Sequence, residues 1–269
     1  MFFFFIFEQK EMRKLLLYLC LLNSLTLFSQ QKETSIIVNY TSVITLDDDF
    51  EFDVPKGVIL SKDDERVMRN NIAQPNFYKL TITKGKSLYE YVETINNNQD
   101  ENSIAIRVKG PGSELAIYRD IQTTFYIAQH EFFGQNFIVT DSLKKQNWKL
   151  VDEEKEILDY KVKKAILKDN GNIMTAWYAI DLPYKTGPEY YGDLPGVILE
   201  IIFHYKSDTM SGTNTITANN VTTLRKSIEI KKPKHGKKIK NKSELESIIK
   251  QQLNEFKQMQ KDAIDTSID

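Results

Sequence analysis

The sequence predicts a mainly β fold of the α+β class: a multi-stranded antiparallel sheet with one C-terminal amphipathic helix. Three observations predict it. Runs rich in β-branched and aromatic residues recur about every ten residues along most of the chain. Turn signals separate them, among them Lys84-Gly85-Lys86, Gly110-Pro111-Gly112, Phe132-Phe133-Gly134 and Asn170-Gly171. No strand–helix–strand alternation is present, so a parallel doubly wound sheet is not expected. Curling into an open half-barrel is one form such a sheet can take, by analogy with envelope carrier proteins.

The elements follow in order. Residues 1–29 read as a signal peptide. Met12-Arg13-Lys14 is its cationic start and Met12 the true initiator; Leu15 to Phe28 is apolar, and Ser29 supplies a small residue before polar Gln30. Met1 to Glu11 then reads as an over-extended gene start. The single cysteine, Cys20, lies inside this segment, so the mature chain has no thiol chemistry and no disulfide. About 240 residues remain, enough for one good core. No stretch of the mature chain reaches the ~20 apolar residues of a membrane span. With 36 basic and 37 acidic residues, bulk charge argues for neither nucleic acid nor an anionic membrane.

Residues 30–230 read as the β domain. Ser35 to Leu46 is a strand closed by Asp47-Asp48-Asp49, a solvated turn lacking the spaced oxygens and glycine of a calcium loop. Ser61 to Asn71 is a short polar helix or loop. Asn76 to Thr83 pairs with Ser87 to Ile95, and Ile104 to Lys109 with Glu114 to Tyr118. Thr123 to His130 pairs with Gln135 to Asp141. Leu158, Tyr160, Val162, Lys164 and Ile166 alternate on one face of a strand, and Ile173 to Ile180 returns as its partner. Thr213 to Ala218 and Asn220 to Leu224 read as two strands, and Ser227 to Lys231 as the last. Residues 231–242 hold seven lysines without interleaved aromatics, so a solvated loop is favoured over nucleic-acid binding; lipid phosphate is the functional alternative. Residues 243–261 read as the helix, opened by a capping box at Ser243 and Glu246 and carrying an apolar stripe from Leu245 to Met259.

One stretch organises the reading. Gly187-Pro188 and Pro195-Gly196 bracket Tyr190, Tyr191, Gly192 and Leu194, and feed the buried-type strand Val197 to Phe203. Pro195-Gly196 has the composition of a type II turn, with a positive φ expected at Gly196. Gly187, Pro188, Gly192, Pro195 and Gly196 form the structural motif of this loop, 187–201. The run Tyr191-Gly192-Asp193-Leu194-Pro195-Gly196-Val197-Ile198-Leu199 resembles the signature of the GLPGLI family, secreted proteins of Bacteroidetes-type bacteria. Thr175-Ala176-Trp177-Tyr178, Gly187-Pro188 and Lys163-Lys164-Ala165 fit the same pattern, with Asp193 in place of a glycine and Val197 in place of a leucine. The resemblance implies an exported protein (periplasmic, outer-membrane associated or secreted) and no established activity.

The expected function is non-enzymatic binding of an apolar ligand or a protein partner in the cell envelope, with Trp177, Tyr178, Tyr190, Tyr191 and Leu194 near the mouth of a site. A secreted hydrolase using Glu189, Asp193 and Glu200 is the first alternative, since paired carboxylates serve glycoside hydrolysis. A structural partner of an outer-membrane complex is the second. No catalytic residue, metal site or cofactor is assigned. His130-Glu131 lacks the second histidine of a zinc-protease helix, and no phosphate loop, serine elbow or dinucleotide fingerprint occurs. The partner is open between an envelope protein and lipid.

Overall fold

In the computed structural model, the described residues are 34–52, 54, 59–93, 115–169, 171–207 and 210–265. The expected signal peptide and the strand expected at Ile104 to Lys109 lie outside them. Among the described residues twelve strands form one sheet: β1 Ser35–Leu46, β2 Asn76–Thr83, β3 Lys86–Tyr91, β4 Ala116–Asp120, β5 Phe125–Phe132, β6 Gln135–Ser142, β7 Lys149–Ile157, β8 Tyr160–Asp169, β9 Asn172–Ala179, β10 Val197–Ser207, β11 Met210–Leu224 and β12 Lys237–Ile239. Helix α1 spans Lys62–Ile72 and α2 spans Lys242–Asp265. The fold is mainly β and the sheet is not closed, its order being β12-β6-β5-β4-β3-β2-β1-β11-β10-β9-β8-β7. Every pairing but one is antiparallel; β12 runs parallel to β6, so the sheet is mixed rather than wholly antiparallel.

The topology is two meanders zipped together at the centre. β1 to β6 walk outward to one side, and β7 to β11 walk inward from the opposite edge until β11 meets β1. Hairpin turns use left-handed backbone: Lys84-Gly85, Phe133-Gly134 and the Gly171 turn all carry positive φ, which the glycine of each accepts without cost. One turn was hidden from the sequence. Leu158, expected inside a strand, sits with Asp159 at φ 51° and 64° in the two-residue turn joining β7 to β8. β7 is an edge strand exposed along most of its length, so neither face needs an apolar period and its sequence shows none.

Alternation decides the core. Ile36, Val38, Tyr40, Leu80, Ile82, Ile117, Ala128, Val139, Ala176, Tyr178 and Ile201 are buried on successive strands of one continuous cluster. Tyr40 is fully buried and donates its hydroxyl to the Ile198 carbonyl at 2.7 Å, satisfying a polar atom the core would otherwise strand. Val197 to Phe203 lies in a strand as the sequence predicts, with Val197, Ile198, Leu199 and Ile201 inaccessible.

Two segments depart from expectation at the C-terminal end. Thr213 to Ala218 and Asn220 to Leu224 are one strand, β11, which passes its irregularity against Asn39/Tyr40 of β1 without breaking. Ser227 to Lys231 is not a strand. The lysine-rich 231–242 segment instead contributes β12, because Ile239 is buried and pulls three residues onto β6. Helix α2 is capped by Asn241, whose side chain accepts from the Glu244 N–H at 2.9 Å, rather than by Ser243. Leu245 enters the core, with Ile248 and Ile249 packed against it. Among the described residues no helix is long and apolar enough to cross a membrane.

Candidate functional site

A cleft of about 710 Å³ opens where the end of β6, the 143–148 connection, the end of β8, the start of α2 and the loop before β10 meet. Tyr126, Tyr190 and Tyr191 supply aromatic surface, and Asp141, Lys242 and Glu246 supply charge. Sequence separations of more than a hundred residues converge here, which no local pattern announces.

The loop that presents the tyrosines is pinned carbonyl by carbonyl. Gln146 Nε2 donates to the Tyr190 carbonyl at 3.0 Å, Arg119 Nη1 to the Tyr191 carbonyl, and Trp148 Nε1 to the Gly192 carbonyl at 2.8 Å. Gln146 Oε1 accepts from the Gly192 N–H at 2.9 Å, and the Gln146 N–H donates to the Asp193 carboxylate at 3.0 Å. Below, Thr186 is wholly buried and bonds Ser87 through their hydroxyls. One antiparallel bridge, Thr186 to Gly192, joins the loop to itself, and side-chain donors satisfy carbonyls that the bridge leaves, as buried backbone requires.

The glycines here serve close approach. A Cβ on Gly196 would lie 1.8 Å from the Ala179 carbonyl oxygen, and one on Gly192 would lie 2.6 Å from the Lys185 carbonyl oxygen and 2.7 Å from Arg119 Nη2. The type II geometry expected for Pro195-Gly196 is not adopted. Gly196 has no positive φ, whereas Glu189 and Asp193 do, at 51° and 62°. An aspartate tolerates that region better than most side chains.

Arg119 is the buried cation beneath the loop. Burial pulls its pKa down to about 10, partly offset by the nearby Asp193 carboxylate, so it stays charged at neutral pH. Above it, Tyr190 packs edge-on against Tyr126 at 5.0 Å, and the Lys242 ammonium sits 4.9 Å over its ring. The Tyr190 hydroxyl lies 3.4 Å from His130 Nε2. Burial, then the Lys242 charge, pushes the His130 pKa down to about 4.

That shift gives a testable pH dependence. A histidine in the unfolded chain gains its proton near pH ~6.5, and the folded one resists until about 4. Stability is therefore full above pH ~6.5 and falls as pH drops toward 4, by about 3 kcal/mol in all. Urea melts across this window should show the loss, and His130→Gln should remove it. Parallel curves for the two proteins would refute a neutral buried His130.

The sequence-predicted residues separate. Tyr190 and Tyr191 line the cleft together. Tyr178 and Leu194 are buried in the core instead, and Trp177 points the other way from Tyr178, as strand alternation requires. Trp177 lies between the Lys155 and Lys164 ammoniums at 4.5 and 5.7 Å. Of the three carboxylates, Glu200 is ion-paired to Lys155 at 2.5 Å, Asp193 braces the loop, and none of the three lines the cleft; Asp141, Asp169 and Glu246 do. Arg119, Gln146 and Trp148 were not singled out as site residues. A lone arginine in the apolar run Ala116-Ile117-Tyr118 was the one signal available.

A family model described as the N-glycanase peptide, N-terminal domain, matches residues 79–253. The chain belongs to this N-glycanase N-terminal-domain family. The match spans more than half of the sequence and overturns the GLPGLI assignment. At Pro195-Gly196 the structure shows a packing need: a Cβ on Gly196 has no room beside the Ala179 carbonyl of the neighbouring strand. The expectation of a non-enzymatic envelope protein without known activity, binding an apolar ligand or acting as a structural partner, is corrected with that assignment. The apolar mouth it required is solid core around Leu194, Ile198 and Leu199. Two solved structures of PNGF-II, in different space groups, align at 18% identity with TM-scores of 0.44 and 0.45. They cover 73% and 80% of this chain, which spans only 29% and 32% of theirs. No curated protein matches the chain.

Proposed function

We propose that this N-glycanase-family chain works in the hydrolytic removal of N-linked glycans, with the cleft at Tyr190 receiving saccharide. The family match over residues 79–253 carries the reading. The chemistry of the cleft supports it. Sugars offer apolar C–H faces and a rim of hydroxyls; Tyr126, Tyr190 and Tyr191 suit the first, and Asp141, Glu246 and Lys242 the second. This is the hydrolase alternative of the sequence reading, with cleft carboxylates replacing Glu189, Asp193 and Glu200.

The sheet is read as curled into an open half-barrel. β6 and β7 stand ten places apart in the sheet order, ~48 Å if it were flat. Residues 143–148 join them and can reach at most ~25 Å. Bending brings the two ends of the sheet together and puts the cleft at their meeting place. Export, through the segment ending at Ser29, fits work on glycans outside the cell. The division into signal peptide, β domain and C-terminal helix is retained as part of this proposal, with the β domain extended to include β12 and the helix starting at Lys242.

Titration with an N-linked glycopeptide, followed by Trp148 fluorescence and by assay of released oligosaccharide, tests the function. Binding is expected to perturb Trp148, and Tyr190→Ala and Glu246→Gln should each weaken it by about tenfold, the ~1.4 kcal/mol of one good contact. No binding and no release with the intact chain would overturn the proposal.

A further inference from the structure

We infer that the end of the sheet at the β5–β6 turn docks on an anionic lipid surface. The first observation is Phe133. It occupies the first central position of a two-residue turn at φ 46°, with Gly134 following at 71°. Asparagine, aspartate and glycine suit that position, and a bulky aromatic is strained there. Its ring is nevertheless 57% exposed. For the turn itself, an aromatic more than half exposed is costlier than asparagine would be.

The second observation is what surrounds it. Phe133 packs 4.6 Å from Phe132 and 5.6 Å from Phe256 of α2. Helix α2 starts beside Asp141 at the far end of β6, where the Lys242 N–H donates to that carboxylate, and runs back toward the turn. Its first turns bury Leu245, Ile248 and Ile249. Past them the stripe continues uncovered: Phe256 is 42% and Met259 62% exposed. The apolar face therefore outruns the sheet that should cover it.

The third observation is charge. β12 enters the sheet beside Phe137, and a Cβ on Gly236 would lie 2.8 Å from the Asn136 backbone. The lysine-rich segment is thereby held along the strand that leaves the turn, with Lys234, Lys237 and Lys238 exposed near the turn and Lys240 farther along, where its N–H donates to the Glu244 carboxylate. Glu131 and Glu255 are acids at this end, and α2 carries Asp262 and Asp265 past Met259. Exposed rings with lysines on the strand beside them match the acyl boundary and phosphates of an anionic bilayer. The rings pack on one another instead of standing apart as stacking platforms, which disfavours a nucleic acid.

Flotation of the intact chain with phosphatidylcholine vesicles, with and without phosphatidylglycerol, tests this independently of glycan. Binding is expected only with the anionic lipid, weakening about tenfold or more in high salt. Phe133→Asn, which relaxes the turn and so keeps the fold, should cut binding by about tenfold. Paired Lys237→Glu and Lys238→Glu should cut it further. Tyr190→Ala should leave it unchanged. No binding to anionic vesicles, equal binding to neutral ones, or full binding by Phe133→Asn would overturn the inference. So would self-association abolished by Phe133→Asn, which would assign the surface to a second copy of the chain.

Discussion

Gly196→Ala should cost about 4 kcal/mol or more, enough to unfold a domain of ordinary stability. The new Cβ would sit 1.8 Å from the Ala179 oxygen and 2.5 Å from its carbon. Both are backbone atoms of β9, so no side-chain rotation relieves the overlap. Strands β9 and β10 would have to part where Val197 opposes Ala179, at the most completely buried segment of the protein. Urea denaturation followed by circular dichroism measures the loss. Gly171→Asn is the control: nothing lies within 4 Å of its Cβ position, and asparagine accepts its positive φ, so about 1 kcal/mol or less is expected. Equal effects at the two glycines would show that the close approach at Gly196 is not what fixes this corner.

Arg119→Ala is expected to cost about 2–4 kcal/mol, from a lost charged hydrogen bond and the cavity left by a buried side chain. Three consequences add. The Tyr191 carbonyl loses its donor, Asp193 loses its nearby cation, and a cavity opens beneath Gly192. Arg119→Met should cost less, because it refills the volume without burying a charge. Near-ultraviolet circular dichroism distinguishes a local from a global effect. Loosening of the loop should alter the Trp148 signal in both variants, since that indole is tied to the Gly192 carbonyl. A stable Arg119→Ala protein with an unchanged Trp148 environment would show that Gln146 and Trp148 suffice to hold the loop.

The site was half legible for a physical reason. Tyr190 and Tyr191 announce themselves because aromatics between a Gly-Pro and a Pro-Gly mark are anomalous locally. Gln146 does not, since a glutamine in a polar connection looks like solvent-facing sequence until its amide is seen spanning Tyr190 and Gly192. Trp177 and Tyr178 were grouped by adjacency, yet adjacency in a strand means opposite faces. The GLPGLI resemblance rested on short motifs, the loop with 163–165 and 175–178 beside it, whereas the family match runs over residues 79–253.

The sequence by itself determined the mainly β class, the glycine-bearing hairpins and the buried strand from Val197, because each depends on neighbours within a few residues: a period of two, a turn that needs positive φ, an unbroken apolar run. Only the tertiary structure decided that β12 lies parallel on β6, that β7 forms an edge, and that Asp141, Tyr190 and Lys242 share a cleft. Those outcomes depend on which distant surfaces meet when the core closes, and burial is indifferent to distance along the chain.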